Sequence, residues 1–563
     1  MKKKLAGITL AGAVALASFG VGNSLIQTEA KVEHKSAKKP QNVIMHKSAK
    51  KPQNVIMMVM DGTSSNATTL ARWYKGKPLH MDQLMAGGVR AYSAESAITD
   101  SAPAATALAT GNKSNSGYVG VLPSVVNTPG VKSVEKEDQF RPVANVLEGA
   151  KLSGRATGIV ATSEIQHATP AGFSAHNYSR DDFQTLAEQQ VYQNIDVVLG
   201  GGKQSLLPGK EEKSRKDGEN LVNVLNKRGY DFVENKKELE QSHAKKIWGS
   251  FADRDLAYDM DRPQTKAEQP KLSQMTNKAI TTLSKDKDGF FLFVEGSKTD
   301  WAAHANDPVG MISDVLAFDE AVGKAVEFAE KDGNTMVIAI ADHGNSGLSI
   351  GNANTTKGYD TTPVSAYIDP LKKAKMTLEG ATSKLKEDLS NKEEVAALYG
   401  LSNLTSEEKA QLTKARDKKE ISAALSKLLA NRANLGFTTG GHTGEDVFLY
   451  SYGVNRPTGH FDNTDIAKHM AKSMNINLNE LTNELFIEAN KAFKGSKVAV
   501  DSKDKNNPVL VVTNNKRTVR FPVNKNIAIV NGKEIQMDSV VVQDKKNRFF
   551  VSKQAQQIVK NEK

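Results

Sequence analysis

Short, unbroken apolar runs recur along the chain at Val55 to Met60, Thr157 to Ala161, Asp196 to Leu199, Phe290 to Val294 and Met336 to Ile340. Each is rich in Val, Ile, Leu, Phe or Met and is separated from the next by stretches with helical spacing. Runs of this kind read as strands buried on both faces. Helices between such strands imply a mostly parallel sheet covered on both sides. The expected fold is therefore α/β: a doubly wound, mostly parallel sheet with helices on both faces. Ligands of such sheets bind beyond the carboxyl ends of the strands, so the polar residues that follow each run are where chemistry is expected.

Two regions break the rhythm. Residues 371 to 432 are rich in Lys, Glu, Ala and Leu at helical spacing, and Thr405 to Glu408 forms a T-x-x-E capping box. This predicts a helical insertion on the rim of the sheet. From about residue 505 the pattern turns to short strands at Val509 to Val512, Thr518 to Val523, Ile527 to Val530 and Val540 to Val542. Asn531-Gly532 is a hairpin signal between two of them. A small C-terminal β-rich module over 505–563 is expected, joined by the polar linker Asp501 to Asn507.

The N-terminus reads as a secretory signal over residues 1–30. Lys2, Lys3 and Lys4 form the charged end, Leu5 to Val21 is apolar and small, and cleavage is expected after Ala30. Residues 34–45 (HKSAKKPQNVIM) recur letter for letter as residues 46–57. The second copy runs into the first core strand, so residues 31–50 are read as a basic leader. A secreted or cell-wall-associated protein is expected.

Composition narrows the chemistry. The 563 residues suffice for one large domain with an appendage. The formal net charge of +11 falls to +9 once residues 1–30 are removed, and no basic stripe or known module calls for nucleic acid. A weaker reading is attraction to anionic cell-wall polymers or phosphorylated substrates. There are no cysteines, so any metal must be held by His, Asp, Glu and hydroxyls.

Candidate residues follow the strands. Asp61 directly follows VIMMVM and precedes Gly62, a position for a ligand or for a plain turn. Ser101, in Thr99-Asp100-Ser101-Ala102-Pro103, would sit at a helix N-terminus, where the backbone favours anions; there it is either a nucleophile or a cap. Thr169 precedes Pro170, and Arg180 comes eleven residues later. Either could be structural, as a cap and as a surface arginine. The segment VEGSKTDWAAHAND is more specific. Glu295 ends a strand, and Asp300 and His304 stand four apart, so on a helix they share one face and can grip one ion. Asp342 and His343 follow another strand, and the glycines flanking His442 let its imidazole project.

Taken together, the strand ending in Asp61, TDSAPAATALATG, ATPAGFSAHNYSR, VEGSKTDWAAHAND, IADHGN and GGHTGE resemble the alkaline phosphatase family over about residues 51–494. The resemblance implies hydrolysis of phosphate monoesters through a phosphorylated Ser101. It implies two zinc ions: Asp300, His304 and His442 around the first, Asp61, Asp342 and His343 around the second, with the Ser101 oxygen joining in. It implies a magnesium held by Asp61, Thr169 and Glu295, and Arg180 as the clamp on the phosphoryl oxygens. A homodimer is also a family expectation. Such an arrangement suits phosphoryl transfer, which needs in-line attack and stabilised equatorial oxygens. His167 and Trp301 stand where the best-known bacterial relatives carry Asp and Lys. An imidazole there leaves the third metal open between magnesium, zinc and cobalt. The C-terminal module faintly resembles β-rich appendages of cell-wall proteins. Two rival readings remain at this level: a phosphodiesterase of the same superfamily, and a cell-surface binding protein with a degenerate site.

Overall fold

A computed structural model describes residues 53–515 and 517–560. The signal segment 1–30 and the leader 31–50 lie outside the described residues. The sheet is built from β1 (Asn54–Met60), β2 (Met85–Arg90), β3 (Ala156–Glu164), β4 (Val197–Gly201), β5 (Asp231–Val233), β6 (Ile247–Ser250), β7 (Phe290–Gly296), β8 (Thr335–Ile340), β9 (Val447–Gly453) and β10 (Gly459–Asp462). Their order is β10-β2-β9-β8-β1-β7-β3-β4-β6-β5. The run from β8 to β5 is parallel throughout, and β9 enters antiparallel between β8 and β2.

β1 lies at the centre, and every one of its residues is buried. Ile56, Met58 and Met60 face a cluster with the helices Ser65–Lys75, Leu272–Leu283 and Pro308–Asp332. Val55, Met57 and Val59 face the opposite cluster, formed with Ser101–Thr110, Val146–Leu152 and Asn463–Ser473. Burying each such side chain contributes about 1.5–3 kcal/mol relative to leaving it in water. The strand therefore cannot slip register without exposing one set, which fixes where Asp61 emerges.

The insertion forms helices Leu378–Thr382, Lys392–Leu398, Ser406–Lys414 and Lys418–Arg432, with the Thr405–Glu408 capping box present. The C-terminal sheet runs in sequence order through β11 (Lys497–Asp501), β12 (Val509–Asn514), β13 (Arg517–Pro522), β14 (Ile527–Val530) and β15 (Lys533–Gln536). It begins before the expected linker. Asn531 and Gly532, at φ 52° and 77°, turn β14 into β15 rather than into Val540–Val542. The latter stretch contributes only Val542–Gln543, in a separate sheet with Ile487–Glu488 and Phe549–Val551.

A buried ion pair stiffens the layer beneath the site. His176 Nε2 lies 3.0 Å from Glu148 Oε1, and both side chains are buried. Burial alone would drive both groups neutral. Their mutual attraction outweighs it, holding Glu148 below the usual carboxylate range and His176 above the usual imidazole range. Glu148's share of stability is present above its ordinary value near 4.3 and is lost as pH falls through its depressed one. His176's share is present below about 6.5 and is lost as pH rises through its elevated one. Glu148→Gln should therefore cost about 3 kcal/mol at pH 5–6. Thermal unfolding of both proteins across pH 4–9 should show the gap narrowing toward the alkaline end.

Candidate active site

The candidate residues converge at the carboxyl ends of the central strands. Asp61 follows β1, Glu295 ends within β7, and Asp342 and His343 follow β8; all four are buried. Gly62 follows Asp61 at φ +61°, and a Cβ there would stand 2.3 Å from Asp300 Oδ1. Only glycine lets the chain turn this close to the neighbouring carboxylate.

Helix Lys298–His304 carries Asp300 and His304 on one face, with Asp300 Oδ2 3.4 Å from His304 Nε2. His442 arrives from far along the chain. The two-residue strand His442–Thr443 pairs antiparallel with Gly344–Asn345, which sets His442 beside His343. The two rings stack at 3.8 Å between centroids. His442 Nε2 lies 3.1 Å from His304 Nε2 and 3.5 Å from Asp300 Oδ1.

Ser101 opens helix Ser101–Thr110 and is 2% exposed. Asp100, not Ser101, caps that helix, through Ala102 N. The hydroxyl is thereby released from capping and stands 3.1 Å from His343 Nε2. Thr169, on helix Ala168–Gly172, likewise does not cap: its Oγ1 donates to Asp61 Oδ2 at 3.2 Å. Arg180 is held at both ends of its fork, by an ion pair with Asp100 and by a 3.1 Å bond from Nη2 to His167 Nε2. A guanidinium only donates, so His167 Nε2 accepts and the neutral ring carries its proton on Nδ1. Burial, then Arg180, lowers the His167 pKa to about 3. The Trp301 ring meets His167 edge-on at 5.6 Å.

Within this assembly, three donor sets have their ligand atoms within 4.8 Å of one another: Asp300–His304–His442, Asp61–Asp342–His343 and Asp61–His167–Glu295. Their fit to cations follows from what they lack. Asp61 Oδ1, Glu295 Oε1 and Asp342 Oδ2 are buried without a hydrogen-bond partner. Burial, and then the neighbouring carboxylates, push Asp61 well above the usual range. Burial first also raises Glu295 and Asp342, each to about 7. Burial opposes ionisation of Asp300 too, but His304, His343 and His442 pull it below the usual range. The bond to Asp300 raises His304 to about 9.

The imidazoles are oriented from behind. Nδ1 of His304, His343 and His442 meets the carbonyls of Gly440, Gly344 and Thr99 at 2.8, 3.1 and 2.8 Å. Donation there aims each Nε2 inward, to serve as a lone pair once the ring is neutral, the arrangement of metal-ligating histidines. Facing lone pairs and unpartnered carboxylates repel, and divalent cations satisfy both. A fourth acidic set, Glu188, Asp217 and Glu219, is different. Arg215 and Lys525 thread it, so most of its charge is already offset.

Three contributors had not been singled out from the sequence. Asp100 anchors Arg180, and an Asp before a small-residue helix is an N-cap signal that could have found it. Asn345 Nδ2 donates to Asp300 Oδ1 at 2.7 Å. Lys298, fully buried, pairs with Asp255 at 2.6 Å and lies 4.5 Å over the Trp301 ring.

The alkaline phosphatase family model matches residues 52–476, and the copper amine oxidase N-terminal domain model matches residues 473–556. The chain is 34% identical to alkaline phosphatase 3 of Bacillus subtilis over 84% of its own length and 98% of that protein. It is 40% identical to alkaline phosphatase 4 of the same organism, over 67% of its own length and 76% of that protein. Among solved structures, Thermus thermophilus alkaline phosphatase superposes with a TM-score of 0.65 at 26% identity, covering 76% of this chain and 92% of that one.

Proposed function

This chain belongs to the alkaline phosphatase family and is a phosphate monoester hydrolase, and on that premise we propose that it works through a phosphoserine at Ser101. The observation that carries the reading is the Ser101 hydroxyl, uncommitted to capping and directed into the convergent donor sets.

In the proposed reaction Ser101 Oγ attacks phosphorus, and the ester oxygen leaves as the alcohol after taking a proton. Water then attacks the phosphoserine, returning the Ser101 hydroxyl and releasing inorganic phosphate. The positive end of the dipole of helix Ser101–Thr110 favours the anionic phosphoryl group, although Pro103 has no amide proton and the Ala102 amide is held by Asp100. Arg180 binds two of its oxygens with a planar fork. Asp100 and His167 fix that fork before substrate arrives, so little rotamer freedom is lost on binding. His343 is oriented by the Gly344 carbonyl so that its Nε2 meets the serine oxygen.

Asp300, His304 and His442 would hold one zinc, Asp61, Asp342 and His343 a second, and Asp61, Thr169 and Glu295 a magnesium. When bound, these ions supply Lewis acidity that favours the ionised serine and offsets charge on the departing oxygen. With Nε2 committed to Arg180, His167 has one ring nitrogen fewer to offer this set, whose other donors are all oxygens. This favours magnesium on the oxygen donors over zinc or cobalt on the imidazole. Export is proposed from the signal pattern of residues 1–30, and a homodimer from the resemblance.

Arg180→Ala removes two charge-assisted hydrogen bonds to the substrate. It should lower kcat/KM for nitrophenyl phosphate about 10²-fold. Arg180→Lys should recover only part of this, since an ammonium cannot reproduce the fork. Steady-state kinetics of both variants test the clamp, and an unchanged kcat/KM would remove Arg180 from it.

A further inference from the structure

The charge of this chain is unevenly placed. Residues 497–563 carry 14 Lys and Arg against 6 Asp and Glu, a net +8, whereas residues 53–496 carry 51 against 56, a net −5. The phosphatase part is thus anionic although its substrates are anions, and the C-terminal module is strongly cationic.

The module is built into the wall beside the site. Lys525 reaches Glu219 at 2.9 Å and Glu188 at 3.3 Å, and Asn524 joins Gln189 at 3.1 Å. Gln189 in turn brackets His176, four residues before Arg180: its Oε1 accepts from His176 N and its Nε2 donates to His176 O. On another side, Arg548 donates to Gln139 O at 2.7 Å.

Between module and phosphatase part lies a cavity of about 450 Å³ with Lys216, Lys505 and Lys545 in its lining. Asp182 and Gln184 also line a second, neighbouring cavity of about 340 Å³, which Arg180, His167 and Lys213 line too. The acids of the larger cavity are mostly engaged. Glu188 pairs with Lys525, Asp217 with Arg215 and Asp544 with Arg548, and Asp182 caps helix Phe183–Tyr192. The lysines lack carboxylate partners: Lys216 donates to the carbonyl oxygens of Gly209 and Glu211, Lys545 lies over the Phe140 and Tyr178 rings, and neither Lys505 nor Lys545 pairs with a carboxylate among the described residues. Asp181 and Glu212 oppose Arg180 and Lys213 at the inner end. Acidic and basic side chains line the larger cavity in equal number, so the cations left for a ligand are those without a carboxylate partner, of which Lys505 and Lys545 belong to the module.

We propose that this groove is a leaving-group subsite for polyanionic monoesters: the module binds the negatively charged remainder of the substrate and presents its phosphate end to Arg180 and Ser101. The inference rests on the monoesterase reading above. Association through such a field is faster for anionic partners and weakens as salt screens it.

The test compares kcat/KM for three substrates: nitrophenyl phosphate, a phosphoserine peptide with an aspartate tail, and the same peptide with a serine tail. Each is measured on the full chain and on Lys505→Glu/Lys545→Glu. The wild-type protein should prefer the acidic peptide about tenfold at low salt, and the preference should vanish at high salt and in the double variant. Nitrophenyl phosphate turnover should stay unchanged in that variant, which also shows that it folds. No preference for the acidic tail, or a preference that survives charge reversal, overturns the subsite. Absence of nitrophenyl phosphate turnover in the wild-type protein would instead sink the monoesterase reading itself.

Discussion

Ser101→Ala should reduce nitrophenyl phosphate turnover by a factor on the order of 10⁴ to 10⁶, the scale seen when a nucleophile is removed from an otherwise intact site. The substitution deletes one buried oxygen from a helix whose cap is Asp100, so the fold should be untouched. Residual activity would come from donor groups and Arg180 acting on water. Two measurements separate the readings. Turnover measures the loss, and intact mass after acid quench shows whether the wild-type chain carries a phosphoryl group that the variant lacks. Near-wild-type turnover in the variant would exclude Ser101 as the nucleophile.

Stripping divalent ions with a chelator should abolish turnover and also lower the unfolding temperature. Four buried carboxyl groups (Asp61, Glu295, Asp300 and Asp342) are crowded at the ends of β1, β7 and β8 and in the adjoining helix. Without cations they must hold protons or repel one another, and burial makes either state costly. A ligand that binds only the folded chain stabilises it by about 4 kcal/mol at a thousand times its dissociation constant. Zinc and magnesium together should restore both activity and unfolding temperature. Asp300→Ala should resist full restoration, because it removes one donor from the first set. Elemental analysis alongside the unfolding curves decides the matter: an unchanged transition after complete metal removal would refute the proposed ligand sets.

The central architecture was legible because parallel strands buried on both faces leave pure apolar runs. β1, β3, β4, β7 and β8 all appear in the sequence as such runs, and candidate ligands stand at the ends of β1, β7 and β8. The antiparallel side was not legible. β2 (MAGGVR) and β10 (GHFD) are glycine-bearing and half exposed, so neither alternation nor an apolar run marks them. β15 (KEIQ) is exposed at all four positions, and so the Asn531-Gly532 turn was visible while its second strand was not. Within the site, residue types and local spacing pointed to the ligands, and the resemblance assembled them. What it did not supply were the contacts that hold them: Asp100 to Arg180 and Asn345 to Asp300 join positions 80 and 45 apart in the chain. The charge division between the module and the rest was present in the sequence, but only the fold sets the module's lysines beside the cavity next to Arg180.

The short ladder between Gly344–Asn345 and His442–Thr443 clasps both ends of the long excursion that contains the helical insertion. Whatever happens between those ends reaches the candidate site only through this clasp and through the packing of the insertion. Closing a longer loop costs little additional entropy, and Tyr359, near the start of the excursion, is 76% exposed. A folded reporter grafted there should leave catalysis running, making this bend a natural port for building an enzyme fusion.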